Sequence, residues 1–342
     1  MKVLKFLSGI TLSVIIAAVA VFIENRLPIH LIGGAVIAMF IGMIVNHFIG
    51  KNSFFASGIK FTSKKILKFA IILLGLSLNI NTILHVGKMS LVVMIFTLAT
   101  CFGGGYFIGK ALGLNWKRSN LISAGTGICG GSAIAAIAPT IEADDTDVAY
   151  AMSATFLFDM AMIILFPIMG QAMGMSDQAF GLWAGTAVND TSSVVATGYA
   201  FSEAAGDFAT MVKLTRTLAI IPTVLTFALI QLHIKRKEAR ESSVDVSALK
   251  ANFSLVKIFP WFILGFLAMT AVASIAPIPA AAVSVTKKIS KFLMVAALAA
   301  IGMNTSFSSF RKSGARPMLH GFIISALVVV VALLVEIFMG IV

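Results

Sequence analysis

The sequence predicts an all-α polytopic membrane protein, and three observations carry that prediction. Of 342 residues, 59% are hydrophobic and only 12% charged, with a mean hydropathy of +1.00, too little polar surface to cover a water-soluble globule of this length. Eleven apolar runs are each long enough to cross a bilayer, taking about 20 residues per crossing. The basic residues behind the net charge of +12 fall mostly in the short segments between those runs, where they set topology and attract anionic lipid rather than nucleic acid.

Taken in order, the runs lie near 6–23, 30–48, 69–86, 90–109, 120–140, 148–169, 179–200, 209–231, 258–275, 289–306 and 318–340. The first follows Lys2 and Lys5 and ends in small residues, as a cleavable signal peptide does. In a chain with many later spans it is expected to stay as a signal anchor. Threading from a cytoplasmic N-terminus puts Lys51, Lys60, Lys64, Lys65, Lys68, Lys110, Lys117, Arg118, Lys235, Arg236, Lys237, Arg240, Lys250, Lys257, Arg311, Lys312 and Arg316 inside. It puts the acidic Glu142, Asp144, Asp145 and Asp147 outside, together with the C-terminus. Lys287, Lys288 and Lys291 are the exception to this charge rule. The expected location is the cell (inner) membrane.

An internal repeat is also visible. Lys68-Phe69 opening the third span matches Lys291-Phe292 opening the tenth, and at the same offset Asn81-Thr82 matches Asn304-Thr305. The copies are an odd number of spans apart, so they face opposite ways, which describes an inverted repeat. The expected organisation is an extra N-terminal helix over 1–27, a first five-helix repeat over 28–172 broken within 119–140, and a second over 178–342 broken within 179–200.

Those two breaks are the candidate site. Gly125, Thr126, Gly127, Cys129, Gly130, Gly131 and Ser132 crowd the first; Asn189, Asp190, Thr191, Ser192 and Ser193 mark the second. Glycine forfeits packing and costs backbone entropy in a helix. At membrane depth the freed amides and carbonyls are tolerated only where protein or a water-filled cavity supplies partners. Glycines also allow close helix packing, and Asn, Asp, Thr and Ser are ordinary N-caps, yet a cap at that depth still means that a helix begins there. A half-helix starting near Ser132 would offer free amides and a positive dipole end to an anion.

Four charged residues accompany the breaks. Lys213 and Arg216 share one face of the eighth span; snorkelling to the outer interface accounts for Lys213 better than for the deeper Arg216. Asp190 can cap a half-helix, carry a proton, bind a cation or pair with a base. Asp159 lies mid-span, where a carboxylate costs roughly 2.5–3.5 kcal/mol on insertion scales, and a neutral acid is equally compatible with the sequence. Glu336 is expected to snorkel and Glu24 to be interfacial. Cys101 and Cys129 have no metal-ligand spacing and imply no disulfide; the five histidines are scattered without ligand spacing.

Ser123-Ala124-Gly125-Thr126-Gly127-Ile128-Cys129-Gly130-Gly131-Ser132-Ala133, Gly185-Thr186-Ala187-Val188-Asn189-Asp190 leading to Val194-Val195-Ala196-Thr197-Gly198, and Lys213-Leu214-Thr215-Arg216 together resemble the YeiH-type sulfate exporter family of bacterial inner-membrane proteins. Pro260-Trp261-Phe262 and Gly302-Met303-Asn304-Thr305 fit as well, and the likeness covers nearly the whole chain. The resemblance implies a relative of the cation/proton antiporter and bile-acid symporter-like transporters, with inverted five-helix repeats and crossed broken helices. The chain departs from that pattern where Asn189-Asp190 stands for His-Glu, where Ser193 stands for Gln, and at Asp159, where relatives carry a small or apolar residue. No role of that histidine, and none for Asp159, carries over.

The expected function is a secondary transporter, not an enzyme, that moves a small anionic solute by alternating access. Sulfate or a sulfonate is implied by the resemblance. The glycine-rich residues, Asn189, Thr191, Ser192, Ser193 and Arg216 would bind substrate, Asp190 and Asp159 would take a coupling H+ or Na+, and Lys213, Asn81, Thr82, Asn304 and Thr305 would support them. No cofactor and no nucleic-acid partner are expected, membrane lipid is, and a homodimer is left open. Two other readings stand beside it: an intramembrane enzyme using Asp159 and Asp190 as an acid pair, and a passive anion channel.

Overall fold

A computed structural model describes residues 2–26, 34–49, 53–241, 261–276, 278–304 and 314–342; Thr305, Pro260, Lys250, Lys257, Arg311 and Lys312 lie outside them. Among the described residues all regular structure is helical. Five helical stretches, Val3–Glu24, Ile80–Ala111, Thr146–Ala172, Glu203–Lys237 and Ala315–Phe338, are long and apolar enough to cross a membrane.

The chain builds α1 (Lys2–Glu24), α2 (Gly34–Ile49) and α3 (Ser53–Phe61), the last running through a π-turn (Thr62–Ile66) into α4 (Leu67–Leu74). After a 3₁₀ turn, Asn79 accepts the amide of Asn81 and starts α5 (Ile80–Ala99), which a second π-turn (Thr100–Gly104) joins to α6 (Gly105–Ala111). The predicted third span, 69–86, is thus divided at Ser77–Asn79, and its helical run begins sixteen residues earlier, at Ser53. The reason is local: Asn79 is an N-cap in extended conformation. Lys60, Lys64, Lys65 and Lys68 stand exposed on that run rather than in a loop before it.

Next come α7 (Trp116–Gly127), α8 (Gly131–Ile137), α9 (Asp145–Ala172), α10 (Asp177–Ala187), α11 (Thr191–Phe201), α12 (Glu203–Thr217) and α13 (Ile220–Glu241). Beyond residue 260 the described helices are α14 (Trp261–Ile275), α15 (Ala280–Asn304) and α16 (Ala315–Phe338).

Two packing groups emerge. The helices α1–α4, α14 and α15 pack chiefly on one another, and α5–α13 with α16 form the second group. Backbones come close in the first group because glycine leaves room: a Cβ on Gly42 would stand 2.3 Å from the Ala299 carbonyl, and one on Gly302 2.0 Å from that of Met39. The seam between the groups runs where α11 meets α2 and α15. At one end of it Lys287 Nζ on α15 reaches Glu203 (2.9 Å) and Asp207 (2.8 Å) on α12.

The largest departure from expectation concerns the fifth and seventh spans, which do not cross the molecule. Lys117, on the first turn of α7, donates to the Glu142 carbonyl at 2.7 Å, Arg118 pairs with Asp147 at the start of α9 (2.7 Å), and Lys235 at the far end of α13 pairs with Glu142. The chain therefore enters through α7, turns at 128–130 and returns through α8 to the end it left. In the same way Ser202, after α11, donates to Asp177 at the start of α10 at 2.6 Å. At about 1.5 Å per residue, α7 and α10 are about 18 and 16 Å long, enough to reach mid-depth and no further.

This corrects the charge threading: Glu142 and Asp147 share an end of the molecule with Lys117, Arg118 and Lys235, not the opposite one. It also replaces the crossed broken helices implied by resemblance with two hairpins that enter from opposite ends. The paired dipeptides sit differently too, Asn81 in the first turn of α5 and Asn304 at the last residue of α15, while Lys291 lies inside α15 rather than at its start.

Candidate functional site at the hairpin tips

The tip of the first hairpin is Ile128-Cys129-Gly130, and it turns sharply because Gly130 takes φ +62°, ψ −132°, backbone that a side chain would strain. The tip of the second is Val188-Asn189-Asp190, which leaves α10 extended and re-enters as the N-cap of α11. The tips touch. A Cβ on Gly130 would stand 2.9 Å from both Cβ and Oδ1 of Asp190.

Every backbone group freed by the turns asks for a partner, and four charged side chains answer. Arg216, 1% exposed, spreads its guanidinium over both hairpins: Nε donates to the Gly127 carbonyl (2.7 Å), Nη2 to that of Thr126 (2.6 Å) and Nη1 to that of Val188 (3.2 Å). Lys213, one turn earlier and fully buried, donates Nζ to the same Val188 carbonyl at 2.9 Å. The two cations thus sit at the negative dipole ends of α7 and α10. From α9, Asp159 accepts the Asn189 amide on Oδ1 and the Asp190 amide on Oδ2, both at 2.8 Å. Asp190 accepts the amide of Ser192 at 2.9 Å and its hydroxyl.

The depth follows from the helices that carry these groups. Asp159 is fourteen residues into α9 and Arg216 thirteen into α12, about 21 and 20 Å from the respective helix starts at opposite ends. Two acids and two bases meet at mid-depth, balanced in formal charge.

Several sequence-predicted residues gather here: Gly125, Thr126, Gly127, Cys129, Gly130, Asn189, Ser192 and Ser193 are buried at or beside the tips, with Gly131 and Thr191 half-buried. Others do not. Ser132 is exposed, and α8 begins at Gly131 and lasts seven residues, too short to present the anion-binding end the sequence suggested. Asn81 and Thr82 are exposed at the start of α5, and Asn304 donates to Ser63 at 3.2 Å within the other packing group. Thr305 lies outside the described residues.

Two expectations about charge are corrected. Lys213 does not snorkel; its ammonium is held inward by Val188. Glu336 does not reach a surface either, being fully buried with neither oxygen hydrogen-bonded. Asp159, to which the resemblance assigned nothing, holds the second tip with both its oxygens. A mid-span acid is the sequence signal for it, but its partners are backbone amides, which no residue pattern displays.

Compared with known proteins, residues 8–321 match the family model described as conserved hypothetical protein 698. The chain is 54% identical over 338 residues to a UPF0324 membrane protein of Clostridium tetani, covering 98% of each. It is 40% identical over 345 residues to one of Streptococcus pyogenes serotype M18, covering 99% of this chain and 98% of the relative. A third, from Fusobacterium nucleatum, is 39% identical over 336 residues, covering 92% and 93%.

Proposed function

The chain belongs to the UPF0324 membrane protein family, and from that premise we propose that it is a secondary transporter of a small anion, working by alternating access of the hairpin group against α1–α4, α14 and α15. One observation carries the reading: Arg216 binds both hairpin tips at once, at mid-depth, so a single buried cation couples two segments entered from opposite ends. Irregular backbone converging at the midplane is how transporters build substrate and ion sites. Each hairpin is followed by a long helix that supplies a charge to the tips, α9 with Asp159 and α12 with Arg216. That pairing is where we place the inverted relationship.

The basic ends Lys117, Arg118 and Lys235 orient this end toward the cytoplasm under the positive-inside rule, with α16 ending outside. Sulfate or a sulfonate is the substrate we propose, on the resemblance to the YeiH-type family. Lys213 is the group suited to receive it, since its ammonium has three donors and gives one to the Val188 carbonyl. Asp190 and Asp159 are the acids suited to a coupling H+ or Na+.

Purified protein in liposomes should take up radiolabelled sulfate saturably, with a rate that changes when pH or sodium is varied across the membrane. Conductance that rises without saturation would overturn the carrier in favour of a channel. No uptake of sulfate or of a small sulfonate in either direction would remove the anion assignment.

A further inference from the structure

Among the described residues, seven have buried side-chain atoms without a partner; Thr197, Gln231 and Glu336 stand apart, while Ser123, Thr126, Asn189 and His320 border the seam where α7, α9 and α16 pack together. At its Arg118 end, His320 Nε2 lies 3.3 Å from Ser119 Oγ and 3.0 Å from the Gly105 carbonyl, which also accepts the Ser119 hydroxyl at 2.9 Å. Ser123, one turn along α7, presses its hydroxyl on Gly105 as well, so closely that a Cβ there would stand 2.0 Å from it. Thr126 follows on the same face. At the far end the Asn189 amide nitrogen lies 3.4 Å from both the Thr155 carbonyl and Ser325 Oγ, and the Asn189 backbone donates to Asp159.

A buried hydroxyl, amide oxygen or imidazole nitrogen left without a partner costs roughly 1–3 kcal/mol, so a seam holding several asks for a use. Water is their natural partner, since each site is polar and water bonds two to four such groups. We propose that this seam is a water-bridged proton path from the Arg118 end of the molecule to Asp159, with His320 as its titrating relay. The proposal rests on the reading of the hairpin tips as a coupled site.

The step balances simply. One proton taken from bulk water makes His320 an imidazolium, water and the Ser123 and Thr126 hydroxyls pass one proton for each they receive, and the Asp159 carboxylate ends protonated. A protonated Asp159 holds the two tip amides less tightly, because a charged acceptor makes the stronger hydrogen bond. Proton arrival therefore loosens the second hairpin. The charged groups at this end are Lys110 closing α6, Lys117 and Arg118 opening α7, Glu142 paired with Lys235, Asp144 at the N-cap of α9, Asp147 on α9, paired with Arg118, and Arg316 opening α16. The mouth that His320 faces therefore carries both signs of charge.

Two measurements test the path, and neither reads transport. In full-length protein with Cys101 and Cys129 replaced by alanine, Ser123→Cys and Thr126→Cys should react with a small membrane-impermeant methanethiosulfonate applied at the Arg118 face and not at the other, while fully buried Leu121→Cys on the same helix stays inert. Equal inertness of all three overturns the path. After a pH jump, infrared spectroscopy of the Asp159 carboxyl, identified by its loss in Asp159→Asn, should show protonation slowed on the order of a hundredfold by His320→Gln, with the same end point. An unchanged rate removes His320 from the path. Should both results hold while no solute moves, the transporter reading fails and the path stands.

Discussion

At the scale of single residues, Arg216 and Asp159 do for backbone what water does elsewhere. Arg216→Lys keeps the charge but can hold only one of the carbonyls of Thr126, Gly127 and Val188 well, and each one left unpaired costs about 1–3 kcal/mol. The expected outcome is a clear fall in detergent melting temperature together with loss of uptake. Lys213→Gln, which leaves the Val188 carbonyl still held by Arg216, should cost less stability. Asp159→Asn puts an amide donor opposite one of two backbone donors, so it should destabilise more than Asp190→Asn, which keeps its cap on Ser192. Thermal unfolding of the two variants side by side checks the order, and the reverse order would show that the clasp on the second tip is dispensable. None of this pairing was legible in the sequence beyond the position of the charges. Arg216 stood out because it is too deep to snorkel, whereas Lys213 offered an easier explanation that its environment overrules.

At the scale of elements, the two breaks were legible and their shape was not. A run of about 20 apolar residues satisfies the length of a crossing whether it goes straight through or doubles back as two half-helices, so hydropathy counts both alike. The flanks held the missing information. Lys117-Arg118 before the first run and Glu142 to Asp147 after it are complementary charges, and Ser176-Asp177 and Ser202-Glu203 bracket the second run with cap residues of the same kind at both ends. The turn itself makes a sharp prediction. Gly130→Ala places a methyl 2.9 Å from Asp190 at a strained φ and should cost about 1–3 kcal/mol and weaken function. Gly131→Ala, helical and with no neighbour closer than Met152 Cε at 3.9 Å, should be tolerated. Similar losses in both would mean that the tip contact plays no part.

At the scale of the molecule, the seam between the packing groups is lightly built. The cluster in which Lys287 bridges Glu203 and Asp207 is joined by Tyr199, whose hydroxyl donates to Asp207 at 2.6 Å. Exposed ion pairs such as Lys287–Glu203 contribute only about 0–1 kcal/mol, so this end is fastened with contacts that can be undone. Below it a cavity of about 10 Å³ separates Val195 and Tyr199 on α11 from Ala35 on α2 and Met294 and Val295 on α15, close to the least space that holds one water. The composition announced a bundle in a membrane, yet a division into two groups depends on which helices share glycine contacts, and those contacts join residues hundreds of positions apart.

The hairpins also come as a pair, and pairing hides them. Turning one crossing into a doubled-back segment would swap the sides of everything after it; turning two leaves both termini where a simple count of eleven would put them. A reporter fused at either terminus therefore gives the same answer for both threadings. Only the interval between the hairpins is inverted, so an epitope inserted at 173–176, after α9, is predicted to be accessible from the same side as the C-terminus, while one inserted at 143–144 is accessible from the opposite side.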